Sequence, residues 1–111
     1  MTLDEAETEA EDGKRTIHTL KVWPNYFYAL ERGDKTFEVR RDDRGFQKGD
    51  ILNLVEYDPK QLTERTRLTG NAMEMLISYV LTGGQFGIEP GYVVLGLHKF
   101  DGQLRRDRWQ L

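Results

Sequence analysis

The chain contains no cysteine and only two histidines among its 111 residues. A disulfide framework and a thiolate metal site are therefore both excluded, and we expect neither a metal nor a cofactor. The sequence also lacks a run of about 18 apolar residues, the length that a membrane-spanning helix needs. The N-terminus has no apolar signal core. These absences predict a single cytoplasmic domain without a membrane anchor. They do not determine its oligomeric state.

Positive charge is absent from residues 1–13, where six of the 19 acidic residues lie. A block of like charge with few large apolar side chains cannot form a packed core. We therefore predict that residues 1–14 are a disordered acidic tail. This tail either serves solubility alone or lies over a basic groove and competes with nucleic acid.

The rest of the chain carries 13 acidic and all 16 basic residues. This small surplus of positive charge is compatible with a polyanionic partner. It is far below the charge of a dedicated duplex binder, whose affinity comes from many phosphate contacts. A second charged segment, residues 102–111, is predicted to be a basic C-terminal tail.

The ordered part is predicted to begin with a strand and a helix. Residues 17–23 are rich in β-forming side chains, and their alternation places Lys21 on the face opposite Leu20. Pro24 suits the first turn of a helix, and Gly33 is typical of the residue that follows the last turn. The interval between them therefore predicts a helix.

Later segments predict four more strands, because they are short, apolar or alternating, and bounded by turn residues. These segments are residues 36–41, 51–57, 72–81 and 92–100. Residues 60–71 are polar and predict a hairpin connection, and Gly96 marks a bulge or a close approach. No βαβ repetition is visible, which argues against a parallel sheet. We predict an α+β fold, a small half-closed β-barrel of about five or six mostly antiparallel strands with one or two helices.

One segment, Gly33–Arg40, combines the helix end with a strand of alternating charge. Glu38 and Arg40 share one face of that strand, opposite the apolar residues between them. Lys35 lies at the start of the strand. Three charged groups therefore converge just after a helix, and the pattern predicts a small charged cleft.

Taken together, these segments resemble the ASCH-like branch of the PUA superfamily, and within it a bacterial and phage family. The resemblance runs from about His18 to Phe100. The ASCH motif Gly-x-Lys-x-x-Glu-x-Arg is present as Gly33, Lys35, Glu38 and Arg40. The flanking blocks HTLKVWPNYFYAL, DRGFQKGDILNLVEYDP and YVLTGGQFGIEPGYVVLGL follow in the family's order. The resemblance implies that residues 15–101 form a PUA-like pseudo-β-barrel with a cleft that binds RNA or a modified nucleotide.

In such a cleft each motif residue has a chemical role. The Arg40 guanidinium suits bidentate binding of a phosphate or a base edge, and Lys35 suits a phosphate as a point charge. Glu38 can accept a hydrogen bond from an exocyclic amine such as that of cytosine. The alternative is an internal ion-pair cluster that fixes the junction of helix and strand. Further ligand contacts are predicted at four residues, Lys21, Asp43, Arg44 and Phe86.

An enzymatic alternative also follows from the resemblance. Some ASCH-like proteins are amidohydrolases that remove the acetyl group from acetylated cytidine, with the motif lysine, a threonine three residues later and a distal glutamate. Lys35 matches, whereas Glu38 occupies the threonine position. Three residues are candidates for the distal glutamate: Glu56, Glu74 and Glu89. A hydrolase of acylated nucleoside or RNA would use Lys35 and Glu38 as its catalytic pair.

The aromatic residues divide into packing and stacking candidates. Phe86 lies in a glycine-rich loop and is the predicted base-stacking residue. Trp23 is expected to pack in the core or at its edge. Tyr26 is expected to join Phe27 and Leu30 in the apolar stripe of the helix.

Overall fold

A computed structural model describes residues 7–9 and 15–100. Within these ranges the chain forms six strands and two helices. In chain order they are β1 (Glu7–Glu9), β2 (Thr16–Val22), α1 (Pro24–Arg32), β3 (Phe37–Arg41), β4 (Ile51–Tyr57), α2 (Glu64–Arg67), β5 (Leu68–Thr82) and β6 (Tyr92–Lys99). The predicted α+β class is therefore confirmed. The predicted basic tail, residues 102–111, lies outside the described residues.

All six strands belong to one sheet, in the order β1-β2-β4-β5-β6-β3. The pairing of β2 with β4 is parallel, and every other neighbouring pair in this sheet is antiparallel. The sheet curls into a half-barrel. This arrangement confirms the predicted small, mostly antiparallel pseudo-barrel.

The core lies on the concave side of the sheet, where α1 covers it. Phe27 and Leu30 project from α1 and are fully buried. They pack with aliphatic side chains from four strands: Leu20, Val22, Leu52, Leu54, Ile77, Val93 and Leu95. Burying each such side chain contributes about 1.5–3 kcal/mol, so apolar packing holds α1 against the sheet.

The end of α1 positions the charged motif. Gly33 adopts a left-handed conformation with φ 85°, which glycine reaches without the Cβ penalty of other residues. Its N–H donates to the Leu30 carbonyl at 3.1 Å, and the Lys35 N–H donates to the Ala29 carbonyl at 3.0 Å. These bonds reverse the chain and fix the backbone of Lys35 beside the helix.

The strand β5 differs from its prediction, because it begins at Leu68 rather than near Ala72. The segment predicted as a hairpin connection therefore contains the short helix α2 and the first residues of β5. With 15 residues, β5 is long enough to pair with β4 and with β6. Its register against β6 shifts between Ile77 and Tyr79, and a side chain at Gly96 would bring its Cβ within 3.2 Å of Ser78 Oγ. The extra residue is therefore Ser78 on β5. Of the two predicted roles of Gly96, a bulge or a close approach, the close approach is the one found.

The N-terminal strand β1 falls inside the segment that the sequence predicts to be disordered. Glu7–Glu9 pair with β2 in antiparallel register, with Glu7 opposite His18. Disorder therefore does not describe these three residues. The other residues of the predicted tail 1–14 lie outside the described part of the chain.

Neither α1 nor α2, the helices of the described ranges, is long and apolar enough to cross a membrane.

Candidate functional site

The half-barrel is open along a seam between β2 and β3. In the described sheet these two strands are not paired through their backbones. Arginine side chains connect them instead: Arg40 Nη2 donates to the Lys21 carbonyl at 2.7 Å, and Arg44 Nη1 donates to the Thr19 carbonyl at 3.2 Å. The seam is therefore bridged by cationic side chains.

A charged triad lies at this seam. Glu38 is only 5% exposed, and its two carboxylate oxygens accept from Lys35 Nζ at 2.5 Å and from Arg40 Nε at 3.1 Å. An unpaired carboxylate at this depth would be strongly unfavourable, whereas two cations compensate its desolvation. The predicted convergence of the three motif side chains is confirmed.

The strand β3 has its charged face turned inward. Phe37 and Val39 are exposed, while Glu38 between them is buried. The alternation predicted from the sequence is present. The usual burial is reversed, because the apolar side chains face outward and the charged side chain faces inward. The reversal is possible because Lys35 and Arg40 pair with Glu38 on the inner face.

The triad forms one wall of a cleft of about 520 Å³, here called the seam cleft. Its lining residues are Lys21, Val22, Trp23, Tyr26, Lys35, Glu38, Val39, Arg40 and Arg41. Four of these side chains are cations and one is a carboxylate, so the cleft has a surplus of positive charge. Such a surplus attracts anionic ligands.

Two aromatic side chains form the other wall of the seam cleft. Trp23 is 53% exposed and Tyr26 is 46% exposed. Their rings stack with centroids 6.4 Å apart and planes inclined by 22°. Lys35 Nζ lies 5.1 Å from the centroid of the Tyr26 ring, within the range of a cation–π contact. The seam cleft thus combines cations with exposed aromatic faces.

These exposed rings correct one expectation and narrow another. Tyr26 does not join Phe27 and Leu30 in the buried stripe of α1, and Trp23 lies outside the core, which leaves the position at its edge. The physical reason is the open seam, where no strand of the described sheet covers the first turn of α1. The sequence contains one signal for this arrangement. Trp23 and Tyr26 are three residues apart at the start of a helix, a spacing that places two side chains on the same helix face.

Of the other predicted contact residues, Lys21 lines the seam cleft, whereas Asp43, Arg44 and Phe86 do not. Lys21 Nζ also lies 4.5 Å from the centroid of the Tyr57 ring. Arg44 bridges the seam at the Thr19 carbonyl, and Arg44 Nε lies 3.8 Å from an Asp43 carboxylate oxygen. Phe86 is exposed in the loop between β5 and β6 and is not among the residues that line the seam cleft.

A second buried carboxylate, Glu56, lies on β4. Its Oε1 accepts from Thr69 Oγ1 at 2.6 Å, Asn71 Nδ2 at 3.0 Å and Tyr28 Oη at 3.2 Å. Desolvation and the hydrogen bond to Glu56 raise the pKa of the Tyr28 phenol above its ordinary value. Neutral donors from α1 and β5 therefore hold this carboxylate, which joins these elements to β4.

None of the three candidate distal glutamates lines the seam cleft in the described structure. Glu56 belongs to the hydrogen-bonded group just described. Glu74 lines a separate groove with Glu31 and Lys99, and the Glu89 carbonyl accepts from the Tyr92 N–H at the start of β6. The structure therefore brings no carboxylate other than Glu38 into contact with Lys35 among the described residues.

A buried histidine–aspartate pair lies at the other end of β2. His18 Nε2 is 2.9 Å from Asp50 Oδ2, and both residues are buried. The Phe46 ring packs against the imidazole with centroids 4.7 Å apart. No group of three or more metal-ligating side chains occurs among residues 7–9 and 15–100.

Residues 17–97 match the profile of a family described as a domain of unknown function, DUF3850. The chain belongs to this family. The DUF3850 segment contains α1, β3, β4 and β5 in full and nearly all of β2 and β6, so every residue of the seam cleft lies within it. A search of curated proteins found no match to the chain.

Proposed function

We propose that the seam cleft of this DUF3850 domain binds RNA or a nucleotide-like ligand. One observation carries the proposal: an excess of cations and a pair of exposed, stacked aromatic rings line the same cleft. Phosphates are bound by such cations, and unpaired bases stack on such rings. The match of Gly33, Lys35, Glu38 and Arg40 to the ASCH motif supports the same function and a relationship to ASCH-like domains.

Lys35 and Arg40 are the proposed phosphate contacts. The Lys35 ammonium has three N–H donors, and the bond to Glu38 Oε1 uses one of them. Glu38 accepts from both cations, so its role is to position them rather than to contact a base. An ion pair suits an ammonium that binds phosphate, whereas a lysine nucleophile needs the neutral amine. Binding is therefore favoured over hydrolysis.

The decisive experiment measures the affinity for a short single-stranded RNA by fluorescence anisotropy across a salt series. We expect the affinity of the wild type to fall as salt rises, because phosphate contacts release counterions. Lys35→Ala should weaken binding by about tenfold and reduce the slope of log affinity against log salt by about 0.7.

Lys48→Ala is the matched control, since Lys48 is exposed and does not line the seam cleft. Its affinity should equal that of the wild type. Equal affinities for Lys35→Ala and the wild type, or no binding at low salt, would exclude the proposal. Circular dichroism of each variant checks that the fold is kept.

The acidic N-terminal segment is proposed to compete with the ligand. The pairing of β1 with β2 places Glu7 opposite His18, on the edge of β2 whose next carbonyls accept from Arg44 and Arg40. Glu5 and Asp4 precede Glu7 by two and three residues in the sequence. Their negative charges are attracted to cations such as Arg40 and Arg44.

Neutralising these two carboxylates should tighten RNA binding. The full-length double variant Asp4→Asn/Glu5→Gln is expected to bind several-fold more tightly at low salt, and the gain should vanish at high salt, where screening removes the competition. Anisotropy titrations at both salt concentrations provide the measurement. An affinity unchanged at low salt would show that the segment serves solubility alone.

A further inference from the structure

A second groove adjoins the seam cleft on the far side of Trp23. Its volume is about 630 Å³, and its lining residues are Trp23, Pro24, Asn25, Asp58, Pro59 and Lys60. The first three come from the start of α1 and the last three from the loop after β4. Trp23 lines both this groove, here called the proline groove, and the seam cleft.

The walls of the proline groove are rigid. Both proline rings have a fixed φ. Asp58 Oδ1 accepts from the Lys60 N–H at 3.0 Å, and Asp58 Oδ2 accepts from Gln61 Nε2 at 3.2 Å. Both bonds lower the pKa of Asp58 below its ordinary value, and the bond from the Lys60 backbone N–H has the larger effect. The Asp58 N–H donates to the Arg67 carbonyl at 2.7 Å, so the loop is tied to α2.

The lining of the proline groove suits a flat heteroaromatic ring beside a phosphate. The exposed Trp23 indole offers a stacking face, and the rings of Pro24 and Pro59 supply apolar surface. Asn25 and Asp58 are the polar groups, suited to the edge of a base. Lys60 is a cation at the rim, suited to the phosphate that joins two nucleosides.

We propose that the proline groove binds the base of a second nucleotide, next to the one in the seam cleft. The inference rests on the proposed function of the seam cleft. The ligand class is then a single strand of at least two nucleotides that passes over Trp23, the residue shared by the two grooves. A duplex is excluded because its bases are stacked on one another and cannot enter either groove.

Trp23 also supplies the reporter for the experiment. The chain has two tryptophans, so Trp109→Phe leaves Trp23 as the single emitter. The ligands are uridine 5′-monophosphate, the dinucleotide UpU with a 5′-phosphate, and a uridine tetranucleotide. Titrations of this protein with each of them compare occupation of one groove with occupation of two. We expect UpU to bind about tenfold more tightly than the mononucleotide, since one more base stacks and one more phosphate is held.

Variants of the proline groove separate the two sites. Lys60→Ala and Pro59→Gly, each in the Trp109→Phe protein, should lower the UpU affinity toward that of the mononucleotide, whose own affinity stays constant. Leu62→Ala is the control, because Leu62 is exposed in the same loop and does not line the proline groove. This control should retain the full preference for UpU.

The outcomes distinguish this inference from the proposed function. Equal affinities for UpU and the mononucleotide would overturn the second site and leave binding in the seam cleft intact. A preference for UpU that survives Lys60→Ala and Pro59→Gly would also overturn it. Failure of all three ligands to bind at low salt would reject the seam cleft itself. Binding of a proline-rich peptide in place of UpU would assign the proline groove to a protein partner instead.

Discussion

Arg40→Ala should lower RNA affinity by about 30- to 100-fold, the largest effect expected for a single residue of the seam cleft. Arg40 Nε pairs with Glu38, and Arg40 Nη2 bridges to the Lys21 carbonyl. Its removal takes away a phosphate contact and also one of the two cations that hold Glu38. Hydrogen bonds to charged groups contribute about 1.5–3 kcal/mol each, and 1.4 kcal/mol is a factor of ten in affinity.

Arg40→Lys separates charge from geometry. Lysine keeps the positive charge but has no planar fork with which to bind Glu38 and the Lys21 carbonyl together. We expect its affinity to lie between those of Arg40→Ala and the wild type in the same anisotropy titration. Wild-type affinity in Arg40→Lys would mean that charge alone is required.

A surface arginine provides the comparison for both variants. Arg65 is exposed on α2 and does not line the seam cleft, so Arg65→Ala should bind RNA as the wild type does. Wild-type binding by Arg40→Ala would locate the ligand elsewhere on the molecule. Thermal unfolding of each variant tests whether lost binding reflects a lost fold.

Asp50→Ala should reduce the free energy of unfolding by about 3–4 kcal/mol. Asp50 Oδ2 lies 2.9 Å from His18 Nε2, within hydrogen-bond distance, and accepts from the Gln47 N–H at 3.1 Å. Alanine would remove this polar contact from the imidazole of His18, which is 1% exposed. Removing one partner of a buried polar contact costs about 1–3 kcal/mol, and the lost turn hydrogen bond adds to it.

Urea denaturation followed by circular dichroism provides the measurement. Asp50→Asn keeps the shape and an acceptor oxygen, so its loss should be smaller than that of Asp50→Ala. Asp43→Ala is the control, because the Asp43 side chain is exposed and its removal should change stability by less than about 0.5 kcal/mol. A loss below about 1 kcal/mol for Asp50→Ala would contradict a structural role for the pair.

The exposure of two aromatic residues depends on tertiary structure rather than on local sequence. Trp23 precedes a helix in an apolar segment, and Tyr26 lies near the apolar stripe of α1, so local pattern favours packing for both. Their exposure depends on the gap between β2 and β3 in the described sheet, and no local pattern encodes the order of the strands. The glycine-rich loop of Phe86 predicts a base-stacking residue, but the course of that loop relative to the seam depends on how β5 and β6 curl.

The orientation of β3 is another feature that the local sequence pattern does not determine. Alternation of Phe37, Glu38 and Val39 fixes which side chains share a side of the strand. It does not fix which side faces the core, because that choice depends on the partners available within the fold. Here Lys35 and Arg40 pair with Glu38 inside, and the apolar residues face outward.

The sequence by itself determined the features that depend on neighbouring residues. These are α1 with its Pro24 start and Gly33 end, the strands β2, β3, β4 and β6, the close approach at Gly96, and the convergence of Lys35, Glu38 and Arg40. Only the tertiary structure decided that the sheet stays open between β2 and β3, because strand order is set by contacts between residues far apart in the chain. That open seam joins Trp23 and Tyr26 to the cations and forms the seam cleft.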